Sequence, residues 1–486
     1  MLYQEFLKKK LYSILGEIFF EKKIDTSDIK KIEFSIDISP KKEFGDVSSN
    51  IAMIFCKILK LAPMDLAEKI ISYFKKENEI EKIEVIKPGF INFFFNNFFW
   101  QKQLEEYLNL NNKFNYKIKS KKICLEYVSA NPTGLMHIGH ARGAVFGDTL
   151  SSILKEVGHK VTDEYYINDA GEQINKLLST IDFHLTNDFE FEGNFPDSLY
   201  PGDYLKDVAK SLKKTNTENK FISKDSHQKV INLILDDIKI DLKNLKVKHS
   251  NFISEKKLST DESVDKLKKK LLNMKIAYYG VQEKPKNIKN GKWEKKEQLL
   301  FCSKKFGDDS DRALIKPNGN LTYFMSDILY HQNKIEREFD VLINVWGVDH
   351  FGYVKRLQNA LKAINKKEIN IKIKLTALVN LLKNNSRMRM SKRAGNYITM
   401  REVLKEVGVD AIRFMMISRN ADKKIDFDLN IFLQKNKDNP VFYIQYAYAR
   451  CTSIINIAKN KIKNINLDRT VENLSLTKLN LDEEKL

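Results

Sequence analysis

Cysteine is scarce in this sequence, and long apolar runs are missing from it. The four cysteines, at positions 56, 124, 302 and 451, stand too far apart to form a CxxC zinc pattern or a disulfide framework. No stretch reaches the roughly 18 consecutive apolar residues that a membrane-spanning helix needs. The lysine-containing start also lacks the apolar core and cleavage site of a signal peptide. We therefore expect a cytoplasmic protein with no structural metal and no membrane association.

The charge of the chain is one-sided. Lys and Arg number 83 against 64 Asp and Glu, which leaves a net charge of +19 over 486 residues. Clustered cations gain affinity for polyanions by releasing counterions from phosphates, so nucleic acid is a candidate partner. Because lysine, isoleucine and asparagine are abundant throughout, a compositional bias would explain the same charge. The length suggests about two to four domains of ordinary globular composition.

The order of predicted elements indicates an α/β protein. Residues 1–110 mix amphipathic helix signals with short apolar runs and predict an α+β unit. From residue 111 strands alternate with helices, which is typical of a parallel sheet wound by crossovers. Strands are expected at 123–128, 161–167, 341–346 and 371–382. The helix after the first strand should bury one face formed by Leu150, Ile153, Leu154 and Val157.

The remaining segments complete the predicted domain organisation. Residues 187–309 are polar and Lys-rich, with helical periodicity only near 230–245, and predict an insertion with surface helices. Residues 111–435 would then form a Rossmann-like parallel-sheet catalytic domain that contains this insertion. After 436 the apolar spacing is helical. We expect 436–486 to be the incomplete start of a C-terminal helical domain.

The segment richest in candidate functional residues is the loop between the first predicted strand and its helix, EYVSANPTGLMHIGH at 126–140. Such a loop opens at the carboxyl end of a parallel sheet, where a helix N-terminus favours phosphate. Gly134 and Gly139 would let the backbone approach a nucleotide. His137 and His140 share the first helical turn and could both donate to phosphate oxygens. A lone histidine would equally suit a polar position near a turn, but the pair and the glycines favour a triphosphate site.

This loop resembles the HIGH signature of class I aminoacyl-tRNA synthetases. The resemblance implies that both histidines stabilise the transition state at the ATP α-phosphate, although small nucleotidylyltransferases carry a similar tetrapeptide. RMSKR at 389–393 resembles the KMSKS loop of the same class, which implies that Lys392 neutralises charge on the leaving pyrophosphate. Arg389 and Arg393 depart from that pattern while keeping or adding positive charge. A basic surface loop is the alternative for this segment taken alone.

The segment YFMSDILY at 323–330 is a candidate site for an organic cation. If it is helical, Tyr323, Asp327 and Tyr330 share one face and place a carboxylate between two aromatic rings. A buried guanidinium needs a carboxylate in this kind of setting. The alternative is an ordinary amphipathic helix with a solvated aspartate.

Five blocks resemble arginyl-tRNA synthetases in their order and spacing, over nearly the whole chain. DNPVFYIQYAYAR at 438–450 is also similar to that family's entry into its C-terminal helical domain. The five blocks are SANPTGLMHIGHARGAVFGDTL (129–150), EYYINDAGEQI (164–174), GNLTYFMSDILYH (319–331), WGVDHFGYVKRL (346–357) and RMSKRAGNYIT (389–399).

The resemblance implies sets of residues for arginine and for ATP. Glu126 would lie near the α-amino group of arginine, Ser129 and Asn131 would contact the amino acid, and Tyr323 and Asp327 would receive its guanidinium. The implied ATP-binding residues are Asn131, Thr133, Gly134, Gly139, Gly347, Asp349, His350, Met390 and Ser391.

Some of these polar residues have structural alternatives. Asp349 could be a loop cap. Asn168, Asp169 and Gln173 follow another predicted strand and face the same crevice, but Asp169 could only cap the helix that follows.

The resemblance also implies an RNA contact in the N-terminal unit, which in the family binds the outer corner of tRNA. Asn92 and Phe95 are then candidate tRNA contacts. Packing in the core of that unit is the alternative for both residues.

The reaction implied is the ligation of arginine to tRNA(Arg). ATP with Mg²⁺ would form arginyl-adenylate and pyrophosphate, and the terminal ribose of the tRNA would then take the arginyl group. We expect a monomer. A tRNA-independent adenylyltransferase would explain HxGH but not RMSKR, and a non-catalytic tRNA-binding paralogue would not explain why His137, His140 and Lys392 are all present.

Overall fold

The computed structural model describes residues 2–25, 29, 32–74, 78–109, 118–187, 189, 195–215, 224–282, 296–365, 368–384, 386–388 and 398–462. The chain divides into two compact units. One comprises residues up to 115 together with those from 458 onward, and the other comprises residues 116–457. No helix among the described residues is long and apolar enough to cross a membrane.

The first unit folds around a small antiparallel sheet with strand order β1-β2-β4-β3. Helix α1 buries Leu7, Leu11, Ile14 and Ile18, the spacing of an amphipathic helix against a core. Its elements are α1 (Leu2–Glu21), β1 (Ile36–Ile38), β2 (Val47–Ser49), α2 (Ile51–Leu59), α3 (Pro63–Ser72), β3 (Ile80–Ile86), β4 (Phe90–Phe95) and α4 (Asn97–Asn109).

The two candidate tRNA contacts of this unit lie on the central strand β4. Asn92 and Phe95 are each only 2% exposed. The Phe95 ring stacks on Phe99 with 3.9 Å between centroids, inside the aromatic part of the core. Their burial favours the core-packing alternative for both side chains.

The described part of the second unit contains the strands β5 (Lys122–Glu126), β6 (Lys160–Ile167), β7 (Asn251–Ser254), β8 (Ala277–Val281), β9 (Glu297–Phe301), β10 (Arg312–Ile315), β11 (Val341–Gly347), β12 (Ile371–Thr376), β13 (Val379–Lys383), β14 (Ser386–Arg387) and β15 (Ile425–Asp428). Five of these form a parallel sheet with strand order β12-β11-β5-β6-β7, which organises the unit. The other six form two three-stranded sheets, ordered β10-β9-β8 and β14-β13-β15.

Helices connect these strands in the βα order predicted for a parallel sheet. The last of them, after residue 440, is also the helix expected from the apolar spacing. The helices are α5 (Ile138–Glu156), α6 (Glu172–Thr186), α7 (Asp203–Thr215), α8 (Lys224–Asn244), α9 (Glu255–Leu258), α10 (Asp261–Asn273), α11 (Tyr323–Glu336), α12 (Phe351–Ile364), α13 (Met400–Ile417), α14 (Leu429–Leu433) and α15 (Pro440–Lys461).

The first strand and its helix differ from their predictions in two details. Strand β5 ends at Glu126 and not at 128, because Val128 and Ser129 turn the chain with φ of 71° and 40°. The buried face of α5 was predicted wrongly: Ile153 is 55% exposed. Small residues such as Ala141 and Ala144 face the core instead, which lets the helix approach the sheet closely.

The polar stretch 187–309 takes part in the main core. The predicted helix around 230–245 is present within α8, but its Val230, Ile234 and Ile238 are fully or almost fully buried in the core that contains the sheet. Strand β7, from the same stretch, pairs with β6 as the edge strand of the parallel sheet. Helical periodicity alone could not show which face of α8 would be covered.

Replacing Gly147 with alanine is expected to destabilise the protein by about 1–3 kcal/mol, because it overpacks the contact between α5 and β5. A β-carbon at Gly147 would come within 2.5 Å of Cβ of the fully buried Tyr127. Gly143 of the same helix has nothing within 4 Å of its β-carbon, so Gly143→Ala is the matched control and should stabilise by up to about 1 kcal/mol. Urea titration measures both free energies of unfolding, and equal values would contradict this packing.

Candidate active site

A cleft of about 1010 Å³ opens at the carboxyl ends of the parallel strands. Glu126 ends β5, Asn168 follows β6, Gly347 ends β11 and Thr376 ends β12, and all four line the cleft. Parallel strands direct their carboxyl ends to one edge of a sheet, which is where ligands bind in such folds. The topology therefore brings together residues that are far apart in the sequence.

The two histidines of the HxGH loop form the start of α5 and line the cleft. His137 is the N-cap, and its Nδ1 accepts the backbone N–H of Gly139 at 3.2 Å. Nδ1 of His140 accepts the backbone N–H of His137 at 3.2 Å, and the two rings stack with centroids 3.9 Å apart. In a neutral ring whose Nδ1 accepts, the proton is on Nε2. Each ring is thus oriented by the backbone to donate through Nε2.

The glycines of this loop have packing roles in addition to the close approach of a ligand that was predicted for them. A β-carbon on Gly139 would lie 2.9 Å from the His137 ring, so this position must be glycine for His137 to cap the helix. Gly139 lines the cleft, whereas Thr133 and Gly134 are buried and are not among the residues that line it. The carbonyl of Thr133 accepts a hydrogen bond from the Tyr204 hydroxyl, which fixes this part of the loop.

Asn131, in the loop after β5, and Asp169, which follows β6, have different roles. The Asn131 amide donates to Oε1 of Gln173 at 2.8 Å, and both side chains line the cleft. Asp169 accepts from Ser254 Oγ at 2.6 Å and from the Lys256 backbone N–H at 2.9 Å, at the start of α9. Asp169 therefore joins the ends of β6 and β7. This is a structural role, as in the helix-cap alternative, but the helix concerned is α9 and not α6.

One wall of the cleft is rich in acidic groups. Burial, together with the nearby Glu126 and Glu255, raises the pKa of Asp327 to about 7. The hydrogen bond that Tyr353 Oη donates to Oδ2 at 2.6 Å opposes this rise. Burial also raises the pKa of Glu255, which the bond from Ser326 opposes. A cation bound here would be stabilised, because the carboxylates then regain a favourable partner.

The neighbours of Asp327 differ from the two tyrosines that the helical spacing predicted on either side of it. Tyr323 lines the cleft and is exposed, as a residue that contacts a ligand can be. Tyr330 is buried, and its hydroxyl donates to Oε1 of Glu164 at 2.8 Å. Tyr353, on α12, and Glu255, on α9, were not found from the sequence. Tyr353 lies within the 346–357 block, which was the one available signal for it.

Glu126 and Ser129 form a hydrogen-bonded pair at the end of β5. Ser129 Oγ donates to Oε1 of Glu126 at 3.2 Å and accepts the backbone N–H of Tyr166 at 3.0 Å. Lys334 donates to Oε2 of Glu126 at 2.6 Å from a fully buried position. A carboxylate can accept about four hydrogen bonds, so Glu126 keeps capacity for a ligand's amino group.

The end of β11 supplies Gly347, Asp349 and His350, which all line the cleft. The Asp349 side chain folds back so closely that a β-carbon on Gly347 would overlap its Oδ1. The His350 ring lies 5.6 Å from that of Trp346. These residues line the cleft at the end of the strand that pairs with β5.

Met390, Ser391 and Lys392 lie outside the described residues, as does all of 389–397. The residues on either side of this segment are tied to the site. The Met388 backbone N–H donates to the Leu381 carbonyl at 2.8 Å. Thr399 forms a β-bridge with His137, and the Met400 N–H donates to the Met136 carbonyl at 2.9 Å. Where the described residues resume after this segment, the chain lies beside the histidine pair.

Comparison with known proteins identifies two family models along the chain. Residues 5–95 match the arginyl tRNA synthetase N-terminal domain, and residues 103–436 match the catalytic domain of class I (R) tRNA synthetases. The chain belongs to the arginyl-tRNA synthetase family. The resemblance seen in the five sequence blocks and the expected α/β class with its parallel sheet are thereby confirmed.

Individual arginyl-tRNA synthetases agree with this assignment. The arginine–tRNA ligase of Pelagibacter ubique is 41% identical over 442 residues, which cover 88% of this chain and 76% of that protein. The arginine–tRNA ligase of a Bradyrhizobium species is 42% identical over 450 residues, 89% of this chain and 75% of that protein. The crystal structure of arginyl-tRNA synthetase from Plasmodium falciparum shares the fold with a TM-score of 0.68 at 16% identity, and the match covers 98% of this chain and 84% of that one.

Proposed function

We propose that the described cleft is the place where this chain, an ATP-dependent arginine–tRNA ligase, activates arginine and transfers it to the 3′ end of tRNA(Arg). The observation that carries the assignment is the pairing of two features in one cleft. His137 and His140 present Nε2 donors at a helix N-terminus, and Asp327 lies on an acid-rich wall of the same cleft. The first feature suits a phosphate and the second suits a guanidinium.

In the first step of this proposal an oxygen of the arginine carboxylate attacks the α-phosphorus of ATP. A new P–O bond forms, the bond to the pyrophosphate breaks, and His137 and His140 donate to the α-phosphate oxygens while charge builds there. Lys392 neutralises the leaving pyrophosphate, with Ser391 beside it. Mg²⁺ enters bound to ATP as part of the substrate complex. Catalysis is by positioning and charge stabilisation and needs no covalent intermediate on the protein.

In the second step the terminal ribose hydroxyl of the tRNA attacks the arginyl carbonyl, and AMP leaves. Throughout, Tyr323 and Asp327 hold the guanidinium, while Glu126, Ser129 and Asn131 hold the amino-acid end. The adenosine is placed against residues of two segments, Gly347, Asp349, His350 and Met390.

The rest of the proposal concerns the protein as a whole. Residues 1–110 bind the outer corner of the tRNA, 111–435 catalyse the reaction, and 436–486 belong to a helical domain on the anticodon side. Because Asn92 and Phe95 are buried, they would support this RNA surface from within the first unit. The chain acts as a monomer in the cytoplasm, where protein synthesis uses its product.

The test is arginine-dependent exchange of pyrophosphate into ATP, measured with and without tRNA(Arg), followed by charging of the tRNA. Exchange with arginine and no other amino acid is the expected result. Exchange with a different amino acid would refute the assignment of arginine. The absence of exchange in both conditions would refute the catalytic role and favour a tRNA-binding protein.

The affinity for arginine is expected to depend on pH near neutrality. Asp327 has a pKa of about 7, and a bound guanidinium favours its ionised form, so binding releases a proton below that pH. The value of kcat/KM for arginine should be full above pH 7 and fall by about tenfold per unit below it. The bond from Tyr353 lowers this pKa, so Tyr353→Phe should move the fall to higher pH. The KM for ATP in the same buffers is the control, and an identical pH profile for both substrates would contradict this origin.

A further inference from the structure

A continuous set of buried hydrogen bonds joins the backbone of Asp327 to the carboxylate of Glu126. His331 Nδ1 lies 2.7 Å from the Asp327 carbonyl, and its Nε2 lies 2.8 Å from the Asn344 amide nitrogen. Lys334 donates to Asn344 Oδ1 at 3.1 Å and to Glu126 Oε2 at 2.6 Å. His331, Lys334 and Asn344 are all fully buried. We call these three side chains the buried link.

Each proton position in the buried link follows from its neighbour. Lys334 can only donate, so Asn344 Oδ1 accepts and its Nδ2 must donate to His331 Nε2. Nδ1 of His331 then carries the proton and donates to the Asp327 carbonyl. Burial lowers the pKa of His331 well below its usual value, and the nearby Lys334 adds to this, so the ring is neutral as the pattern requires. A fully satisfied buried network of this kind specifies one geometry.

The link ties together the elements that carry the two ends of the proposed arginine site. His331 and Lys334 lie on α11, four and seven residues after Asp327 and therefore on the same side of the helix. Asn344 lies in β11, directly opposite Glu126 of β5 in the sheet register. The helix that bears Asp327 is thus joined to the sheet at the level of Glu126.

Stability alone does not account for such a link. A buried ion pair costs desolvation free energy, and well-packed apolar residues of similar volume are often as stable or more stable in its place. None of the three side chains is among the residues that line the cleft, so they do not contact a ligand directly. The link instead fixes the separation between the carboxyl groups of Asp327 and Glu126, which do line the cleft.

We propose that His331, Lys334 and Asn344 are positioning residues that set the span between Asp327 and Glu126, and so select an amino acid of the length of arginine. The inference rests on the proposed function, in which Asp327 holds the guanidinium and Glu126 the α-amino group. An amino acid with one methylene more or less cannot reach both carboxylates while the span is held. When the link is broken, α11 can shift against the sheet and the mismatch is relieved.

The experiment compares kcat/KM for arginine with that for homoarginine and for 2-amino-4-guanidinobutanoate, in pyrophosphate exchange with tRNA(Arg) present. One methylene is worth roughly 10–200-fold in selectivity in a well-formed site. Asn344→Leu removes the middle of the link and leaves Lys334 paired with Glu126, and it should reduce this selectivity by roughly tenfold. His331→Phe breaks the link at the Asp327 end and should act in the same direction. The selectivity ratio does not depend on the fraction of active enzyme, so partial unfolding of either variant does not disturb it.

Tyr330→Phe is the matched control, because it deletes a buried hydrogen bond from the same helix to Glu164, outside the link. Its selectivity ratio should equal that of the unsubstituted protein. If Asn344→Leu and His331→Phe lower kcat/KM equally for all three amino acids, the link is only structural and the inference is overturned. If the unsubstituted protein shows no arginine-dependent exchange, the proposed function itself fails, which is a separate result.

Discussion

Replacing His140 with asparagine is expected to reduce arginine-dependent adenylate formation by roughly 10²–10³-fold, which corresponds to about 2.7–4 kcal/mol of transition-state stabilisation. The asparagine Oδ1 can occupy the place of Nδ1 and still accept the His137 backbone N–H, so helix α5 stays capped. What the substitution removes is the donor at Nε2, which is directed by that same bond. The change should lower kcat with little effect on the melting temperature.

His140→Ala separates the capping role of this residue from its proposed catalytic role. It removes both the donor and the acceptor for the His137 N–H, so it should match His140→Asn in activity and be less stable by about 0.5–2 kcal/mol. Single-turnover adenylate formation and thermal unfolding measure the two effects. Full adenylate formation by His140→Asn would mean that the imidazole serves only the helix terminus.

Replacing Asp327 with asparagine is expected to cost about 2–5 kcal/mol in kcat/KM for arginine, the usual consequence of leaving one partner of a buried charge pair without the other. The shape of the side chain is kept, and Tyr353 can still donate to the amide oxygen. The guanidinium loses its charged partner, although Glu126 and Glu255 remain as acids that line the cleft. The loss should therefore appear in the KM for arginine, with the KM for ATP almost unchanged.

Glu336→Gln is the matched control for this substitution. Glu336 lies at the end of the same helix, is exposed, and carries the same charge. Steady-state exchange kinetics with arginine varied at saturating ATP distinguish the two variants. If Asp327→Asn bound arginine as tightly as Glu336→Gln does, the guanidinium would have to lie elsewhere in the cleft.

The arrangement of the histidine loop was predictable because its parts are close together in the chain. A strand end, a loop with glycines and two histidines on one helical turn are local features, and local spacing is enough to orient them. What spacing did not show is that His137 and His140 use their Nδ1 atoms to cap α5. Spacing also did not show that Gly139 makes room for the His137 ring. Both features depend on side-chain conformations, which the sequence pattern does not specify.

The acid-rich wall of the cleft was only partly predictable. The spacing of Tyr323 and Asp327 on one helical face was visible, but Tyr353, the hydrogen-bonding partner of Asp327, comes from another helix 26 residues away. Glu255 joins them from the short helix after β7, in a stretch that resembled an insertion. No pattern within either segment indicates that they meet.

By itself the sequence determined the α/β class with its parallel sheet, the two histidines at the start of a helix, and the family. Each of these follows from residues a few positions apart, or from blocks that need only be present in order. The tertiary structure alone decided which ionisable groups meet, such as Lys334 and Glu126, 208 residues apart and both buried. Parallel strands bring such distant residues to one edge, and burial, which sets their pKa values and hydrogen-bond partners, exists only once the helices have packed on the sheet.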